Sequence, residues 1–379
     1  MKALCDVRDY MTLAQSRVPR MFFQYADSGS WTQSTYKRNE SDFEDILFRQ
    51  RVAVDMSNRS LESTLAGQKA SMPVALAPIG MLGMQHANGE ILAAKAAEKA
   101  GIPFTLSTMS IASIEDVAAN TEKPFWFQLY VMKDKVFAGN LIDRAKAAGC
   151  SALVLTLDLQ ILGQRHNDIR NGLSAPPRFT PNHLWQVMTR PRWALGMLGT
   201  RRHTFGNIVG HASSVTDLSS LSSWTAEQFD PKLNWEDVAW IKERWGGKLI
   251  LKGIMDAEDA KFAVNTGADV IVVSNHGGRQ LDGAPSSITA LPQIVDAVGD
   301  KIEVILDGGV RRGTHVLKAL AMGAKACMIG RGYLYALAAG GQPAVERALE
   351  KLHKEIKRDM ILMGCSNVKE LNRSKLHFD

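Results

Sequence analysis

Cysteine is scarce in this 379-residue chain: Cys5, Cys150, Cys327 and Cys365 lie far apart and form no CxxC pair. That excludes a disulfide scaffold and a cysteine zinc site, fits a reducing compartment, and gives no reason to expect a metal. No run approaches ~18 uninterrupted apolar residues, so no helix is expected to cross a bilayer. The opening MKALCDVRDYMTLAQ places Asp6, Arg8 and Asp9 where a signal peptide needs an apolar stretch. Aromatic residues are only 7% of the chain, but hydrophobic residues reach 45% against 22% charged, enough to build a large core and too many for a disordered chain. The 31 glycines and 13 prolines are neither periodic nor clustered, which excludes collagen-like and low-complexity classes.

Acidic residues are missing from one stretch altogether. Ile169 to Thr216 contains no Asp, Glu or Lys but six arginines, Arg170, Arg178, Arg190, Arg192, Arg201 and Arg202. Lys plus Arg is 45 and Asp plus Glu 39, so removing those six leaves 39 against 39: this stretch carries the whole formal charge of +6. It also holds Trp185, Trp193, Leu195, Met197 and Leu198 among proline and glycine breaks. Arginine mixed with tryptophan and aliphatic residues is the composition of an interfacial membrane segment. At ~1 kcal/mol per basic residue near an anionic leaflet, the attraction is substantial before ordering costs. The competing reading is a basic surface loop or a subunit contact. Nucleic acid is not expected as a partner, since no recognition motif accompanies the patch.

Elsewhere short apolar runs alternate with stretches of helical period. Eight strands are expected, at Pro73–Ala77, Phe104–Ser107, Phe125–Tyr130, Ala152–Thr156, Leu249–Lys252, Val270–Ser274, Glu303–Leu306 and Ala326–Ile329. Most are continuously apolar, as in parallel strands covered on both faces. Helices are expected between them at Glu90–Ala100, Lys135–Ala148, Trp235–Trp245, Ala257–Asn265 and Gly313–Met322, with a last one from Ala344 to Met363 closing the barrel wall. Four of these helices stop at Gly101, Gly149, Gly267 and Gly323, each followed almost at once by a strand. Such tight returns favour a closed (β/α)8 TIM barrel over an open sheet. Residues 1–72 then form a short amino-terminal helical cap, 73–379 the barrel, and 169–216 a long insertion after the fourth strand, within one domain.

The carboxyl ends of barrel strands face a common mouth. Here they read Pro78-Ile79-Gly80, Ser107, Gln128 with Tyr130, Thr156 with Asp158, Lys252, Ser274 with His276, Asp307-Gly308-Gly309 and Gly330-Arg331. Core packing alone does not require polar or backbone-exposing residues at all eight. The glycines of LDGGVRRG and IGRG let backbone amides approach a phosphate that Arg311 or Arg331 neutralises, unless they are ordinary turn glycines beside surface arginines. In SNHGGRQLDG, His276 suits a general base, and Arg279 a bidentate carboxylate clamp, with Arg165 as a second guanidinium. Asp158 would stabilise the imidazolium, or else form a rim salt bridge; the Tyr130 hydroxyl would bond a substrate oxygen. Lys252, in the apolar LILKG, needs an anionic partner, either a reduced flavin or a rim carboxylate, while a Schiff-base lysine stays open.

At SNHGGRQLDG, LDGGVRRG, WFQLYV and YADSGSWTQSTYKRN the chain resembles the FMN-dependent α-hydroxy-acid dehydrogenase and oxidase family, from about residue 5 to residue 375. Within it the likeness is greatest to the membrane-associated bacterial L-lactate dehydrogenases, and (S)-mandelate dehydrogenase is also similar. The resemblance implies FMN contacts at Pro78, Ile79, Gly80, Ser107, Gln128, Thr156, Lys252, Ser274, Asp307, Gly308, Gly309, Val310, Arg311, Gly330 and Arg331. It implies that Tyr25, Arg165 and Arg279 meet the substrate carboxylate, that Tyr130 binds the hydroxyl or keto oxygen, and that His276 is the base polarised by Asp158. Met109 and Leu162 are expected to line the side-chain pocket. The implied reaction is oxidation of an (S)-2-hydroxy acid, L-lactate foremost, to the 2-oxo acid, with electrons passing to a membrane quinone. A soluble oxidase that makes hydrogen peroxide from O2, or a mandelate-type dehydrogenase, is the alternative. A homotetramer or larger ring, peripheral on the cytoplasmic face of the cell membrane, completes the expectation.

Overall fold

The computed structural model describes residues 4–172, 180–211 and 228–377. Its centre is an eight-stranded parallel barrel: β1 Val74–Leu76, β2 Thr105–Ser107, β3 Trp126–Tyr130, β4 Ala152–Thr156, β5 Lys248–Ile254, β6 Val270–Val273, β7 Glu303–Asp307 and β8 Ala326–Ile329. Neighbours pair in sequence order, β8 pairs back onto β1 through Cys327↔Val74 to Ile329↔Leu76, and a bridge from Leu76 to Phe104 closes the ring. All eight expected strands are present with ends displaced by at most a few residues.

The strands read as unbroken apolar runs because both faces are covered, yet the faces differ. Ala75, Ala77, Ala152, Val154, Ile250, Val270, Val272, Ile305, Ala326 and Met328 turn into the barrel, while Leu153, Leu155, Leu249, Leu251, Ile271 and Val273 pack outward against the helices. Small alanines make room for Trp126 in the interior. The helices Gly89–Ala100, Lys135–Ala147, Trp235–Trp245, Ala257–Asn265 and Gly313–Ala321 match expectation closely. Gly101, Gly149, Gly267 and Gly323 all have positive φ, the left-handed conformation that turns each helix back into the sheet.

Two elements depart from expectation. The helical span Arg331–Met363 is broken by non-helical backbone at Gly340 and Gly341, so the expected last helix to Met363 is preceded by a further helix that starts directly at the end of β8. Residues before the barrel form helices Val7–Arg17, Arg20–Ala26 and Ser34–Ser41, but also a hairpin, Ser63–Leu65 with Gln68–Ala70. Leu65, Ala66 and Ala70 join the barrel's inner cluster from below, and Gln68 accepts from the Trp126 indole at 3.2 Å. Strands this short show too few alternations to declare themselves in a sequence.

The insertion after β4 carries helices His166–Arg170, Pro181–Met188 and Pro191–Leu198. Arg178 and residues 212–216 lie outside the described residues. Among those described, no helix is long and apolar enough to cross a membrane.

Candidate active site

Loops at the carboxyl ends of the strands enclose a cavity of about 650 Å³. His276 follows β6 with φ of +59°, a strained conformation for a residue with a side chain, and Gly277 and Gly278 continue it with positive φ. Glycine is required at the latter, where a Cβ would lie 2.5 Å from the backbone of Tyr36 in the amino-terminal cap. This contorted turn swings the imidazole over the mouth and brings its Nδ1 to 2.8 Å from Asp158 Oδ1. Asp158 fits there because a Cβ at Gly253 would come within 2.8 Å of its own.

An ionised carboxylate only accepts, so Nδ1 carries the proton and Nε2 presents its lone pair to the cavity. The Tyr130 hydroxyl lies 3.5 Å from that Nε2. Burial pulls the His276 pKa below its ordinary value, against the opposing pull of Asp158. Burial alone would raise the Asp158 carboxyl, but its interaction with His276, including the hydrogen bond from Nδ1, and the Lys252 charge hold it below the usual carboxylate range. The pair is therefore a neutral imidazole beside a carboxylate at neutral pH. It can take up a proton.

The two guanidiniums both line this cavity. Arg279 lies over the Tyr25 ring, 5.0 Å to its centroid, and donates to Tyr25 O at 2.6 Å and Ser28 O at 3.1 Å. Its pKa is pulled down, first by burial and then by Arg165. Arg165 Nη1 stands 3.7 Å from Asp168 Oδ2. Two cations crowded into a buried site with one shared carboxylate favour an incoming anion. Met109 and Leu162 line the same cavity, Met109 buried and Leu162 at its exposed edge.

Below them the residues suit a flavin phosphate and ring. Gly308 and Gly309 have positive φ, and a Cβ at Gly309 would collide with the Asn39 carbonyl. Val310, Arg311, Gly330 and Arg331 complete that end of the cavity. Arg331 is anchored by the carbonyls of Ala26, Gly277 and Ser28, and Arg311 faces Glu40 at 3.7 Å. Pro78, Ile79, Gly80, Thr156, Lys252 and Asp307 line the middle. Ser107, Gln128 and Ser274 stand just behind this surface. Ser107 donates to Gln128 (3.1 Å), which donates to Thr156 (3.0 Å); Lys252 Nζ lies 2.8 Å from both Ser274 Oγ and Asp307 Oδ2. The partner that Lys252 needed is thus Asp307, and an ion-paired ammonium is a poor Schiff-base nucleophile.

Several residues of the site escaped sequence reasoning. Asp168 was detectable only as an acid three residues after Arg165, whereas Phe22, Met84, Phe205 and Phe229 reach the cavity from unrelated segments. His315 backs the phosphate cradle: it stacks on Phe43 at 4.3 Å, its Nδ1 lies 3.1 Å from Gly309 O, and burial pushes its pKa down to about 4.

This chain is similar to known proteins along nearly its whole length. The L-lactate dehydrogenase of Vibrio cholerae serotype O1 (strain M66-2) is 46% identical over 370 residues, 97% of each chain. That of Xanthomonas campestris pv. campestris (strain B100) is 48% identical, covering 97% of this chain and 95% of the relative. Among solved structures, (S)-mandelate dehydrogenase, described as a monotopic membrane protein, superimposes with a TM-score of 0.95 at 36% identity over 100% of both chains. A mandelate oxidase gives 0.85 at 35% identity over 99% of this chain and 98% of its own. The family of FMN-dependent dehydrogenases matches residues 14–378, and this chain, an FMN-dependent oxidoreductase built on a TIM barrel, belongs to it.

Proposed function

We propose that the protein oxidises L-lactate to pyruvate and delivers the electrons to a membrane quinone. The observation that carries the reaction is the convergence of His276, its Asp158 partner, Arg165 and Arg279 above a cavity that ends in a phosphate cradle. Arg165 and Arg279 hold the substrate carboxylate, with Tyr25 packed beneath the Arg279 plane. The Tyr130 hydroxyl bonds the substrate oxygen. Nε2 of His276 removes a proton, and Asp158 stabilises the imidazolium that results. Bound FMN supplies the two-electron acceptor, held by the Ser107–Gln128–Thr156 chain, by Lys252, and by the Gly308–Arg311 and Gly330–Arg331 turns. Lactate is preferred over mandelate because the L-lactate dehydrogenases above are more alike in sequence.

Membrane association is supported by the insertion. Leu184, Trp185, Met188, Leu195 and Leu198 are all more than 60% exposed on two adjacent short helices. Scattered apolar exposure is ordinary, but five large side chains on one projecting element mark an interaction surface. Arg192 and Arg201 are exposed beside them and Arg190 is half-buried, suiting an anionic leaflet, and quinones are dissolved in that phase. Separately, exposed Trp31, Ile161 and Leu281 give copies of the chain an apolar face for the expected tetramer.

Anaerobic titration of the yellow holoprotein with L-lactate, D-lactate, glycolate, 2-hydroxyoctanoate and (S)-mandelate tests the reading. L-Lactate should bleach the flavin most efficiently and D-lactate not at all. Preserved colour with every 2-hydroxy acid would refute it. Slow reoxidation of the bleached protein in air, against fast reoxidation by a short-chain quinone, separates the dehydrogenase from an oxidase.

A further inference from the structure

One carboxyl side chain near the mouth takes no part in the chemistry above. Glu90, at the start of the helix after β1, is 1% exposed, and its Oε1 accepts two backbone amides at 2.9 Å, those of Gly83 and Ile111. Gly83 belongs to the loop after β1 that begins with Pro78-Ile79-Gly80; Ile111 belongs to the loop after β2 that carries Met109. A single oxygen therefore staples the two loops together. Space at the staple is minimal: a Cβ on Gly83 would lie 2.7 Å from Ile111 Cβ and 3.0 Å from Glu90 Oε2. Oε2 itself is buried without a hydrogen-bond partner among the described residues, an arrangement that stability alone does not favour.

The β2 loop is gripped from its other side by Asn207, which is fully buried at the root of the insertion. Its Nδ2 donates to Ser110 Oγ at 2.9 Å and to Ser107 O at 3.4 Å, and its Oδ1 accepts from Ile114 N at 2.9 Å. Between these two grips the two loops meet at the cavity wall: Met81 N donates to Met109 O at 2.8 Å, and a Cβ on Gly80 would lie 3.2 Å from Met109 Cβ.

We propose that Glu90 and Asn207 are positioning residues that clamp the Met109 loop between them and so set the width of the pocket for the substrate's side chain. The clamp rests on the hydroxy-acid reading above, and its test is independent of it, because wild-type bleaching by L-lactate reports on that reading alone. The readout is the ratio of kcat/KM for L-lactate to that for (S)-2-hydroxyoctanoate, measured on FMN-loaded protein, together with Tm. Glu90→Ala and Asn207→Ala should shift the ratio toward the longer acid by about tenfold, the scale of a pocket wall that moves by a fraction of an ångström. Glu90→Gln, which keeps an oxygen for both amides, should hold the wild-type ratio. Should the alanine variants not fold, Gly83→Ala serves, since its methyl group crowds Ile111 and forces the two loops apart without removing the carboxyl; it should shift the ratio the same way. Variants that lower Tm while leaving the ratio unchanged, or a Gln variant that behaves like Ala, would overturn the proposal.

Discussion

The two halves of the arginine-rich insertion both lack acids and carry arginine, yet stand in opposite environments. From Pro181 to Leu198 most of its large apolar side chains face outward; Met197 is buried, and Trp193 folds back, stacking on Phe22 at 5.4 Å and donating to Met84 O. From Thr200 to Ile208 the chain dives inward: Thr200, Asn207 and Ile208 are buried, and Arg202 is tied to Asp116 at 2.5 Å and Asn88 at 3.0 Å. The first half exposes a cluster of apolar side chains, the surface that the proposed membrane contact would use. The second is part of the barrel's fabric, supporting the loop that carries Ser107 and Met109. A continuous acid-free, arginine-containing stretch thus divides into an exposed tip and a structural root. Arg202, which composition counts as a free positive charge, is a bound one. A deletion spanning residues 178–210 would remove both halves and confuse their roles.

Several perturbations sharpen this contrast, beginning with a reference at the chemical centre. His276→Gln should keep FMN and membrane binding but lower the rate of flavin reduction by roughly 10²–10⁴-fold, the usual scale of a lost general base, as measured by anaerobic stopped flow. At the root, Asn207→Ala leaves the Ile114 amide and the Ser107 carbonyl without their buried partner. A loss of about 1–3 kcal/mol in unfolding free energy is expected by denaturant titration, with vesicle binding unchanged. At the tip, Leu184→Gln with Trp185→Gln and Leu198→Gln should leave stability within ~0.5 kcal/mol, since these side chains are exposed, while abolishing flotation with anionic vesicles. The smallest effect is on pH. Because burial lowers the His276 pKa and the base acts in its neutral form, kcat/KM should stay level as pH falls through 7 and decline only below the ordinary histidine value of about 6.5. A decline centred above that value would contradict the assignment.

Much of the barrel was legible because its signals are local. Val270 to Val273 announces a strand buried on both faces, and Gly101 or Gly267 announces where a helix must turn. The strand ends then named His276, Asp158, Arg165 and Arg279 by position. What sequence does not carry is partnership across space. The Asp158–His276 pair, 118 residues apart, was expected because both stand at one mouth, but Glu90 and Ile111, 21 apart, and Asn207 and Ser110, 97 apart, lie outside any such frame; burial periodicity says that each is inside or outside, never what it touches. The same gap hid the identity of the anion opposite Lys252 and the hairpin that plugs the barrel floor through Gln68.

The most direct test of the separation between tip and root is to follow flavin bleaching and vesicle flotation in one preparation of the Leu184→Gln, Trp185→Gln, Leu198→Gln variant. Bleaching by L-lactate at the wild-type rate from protein that no longer floats is the predicted result. A bleaching rate that collapses together with flotation would show that the tip shapes the active site too, and would contradict the account.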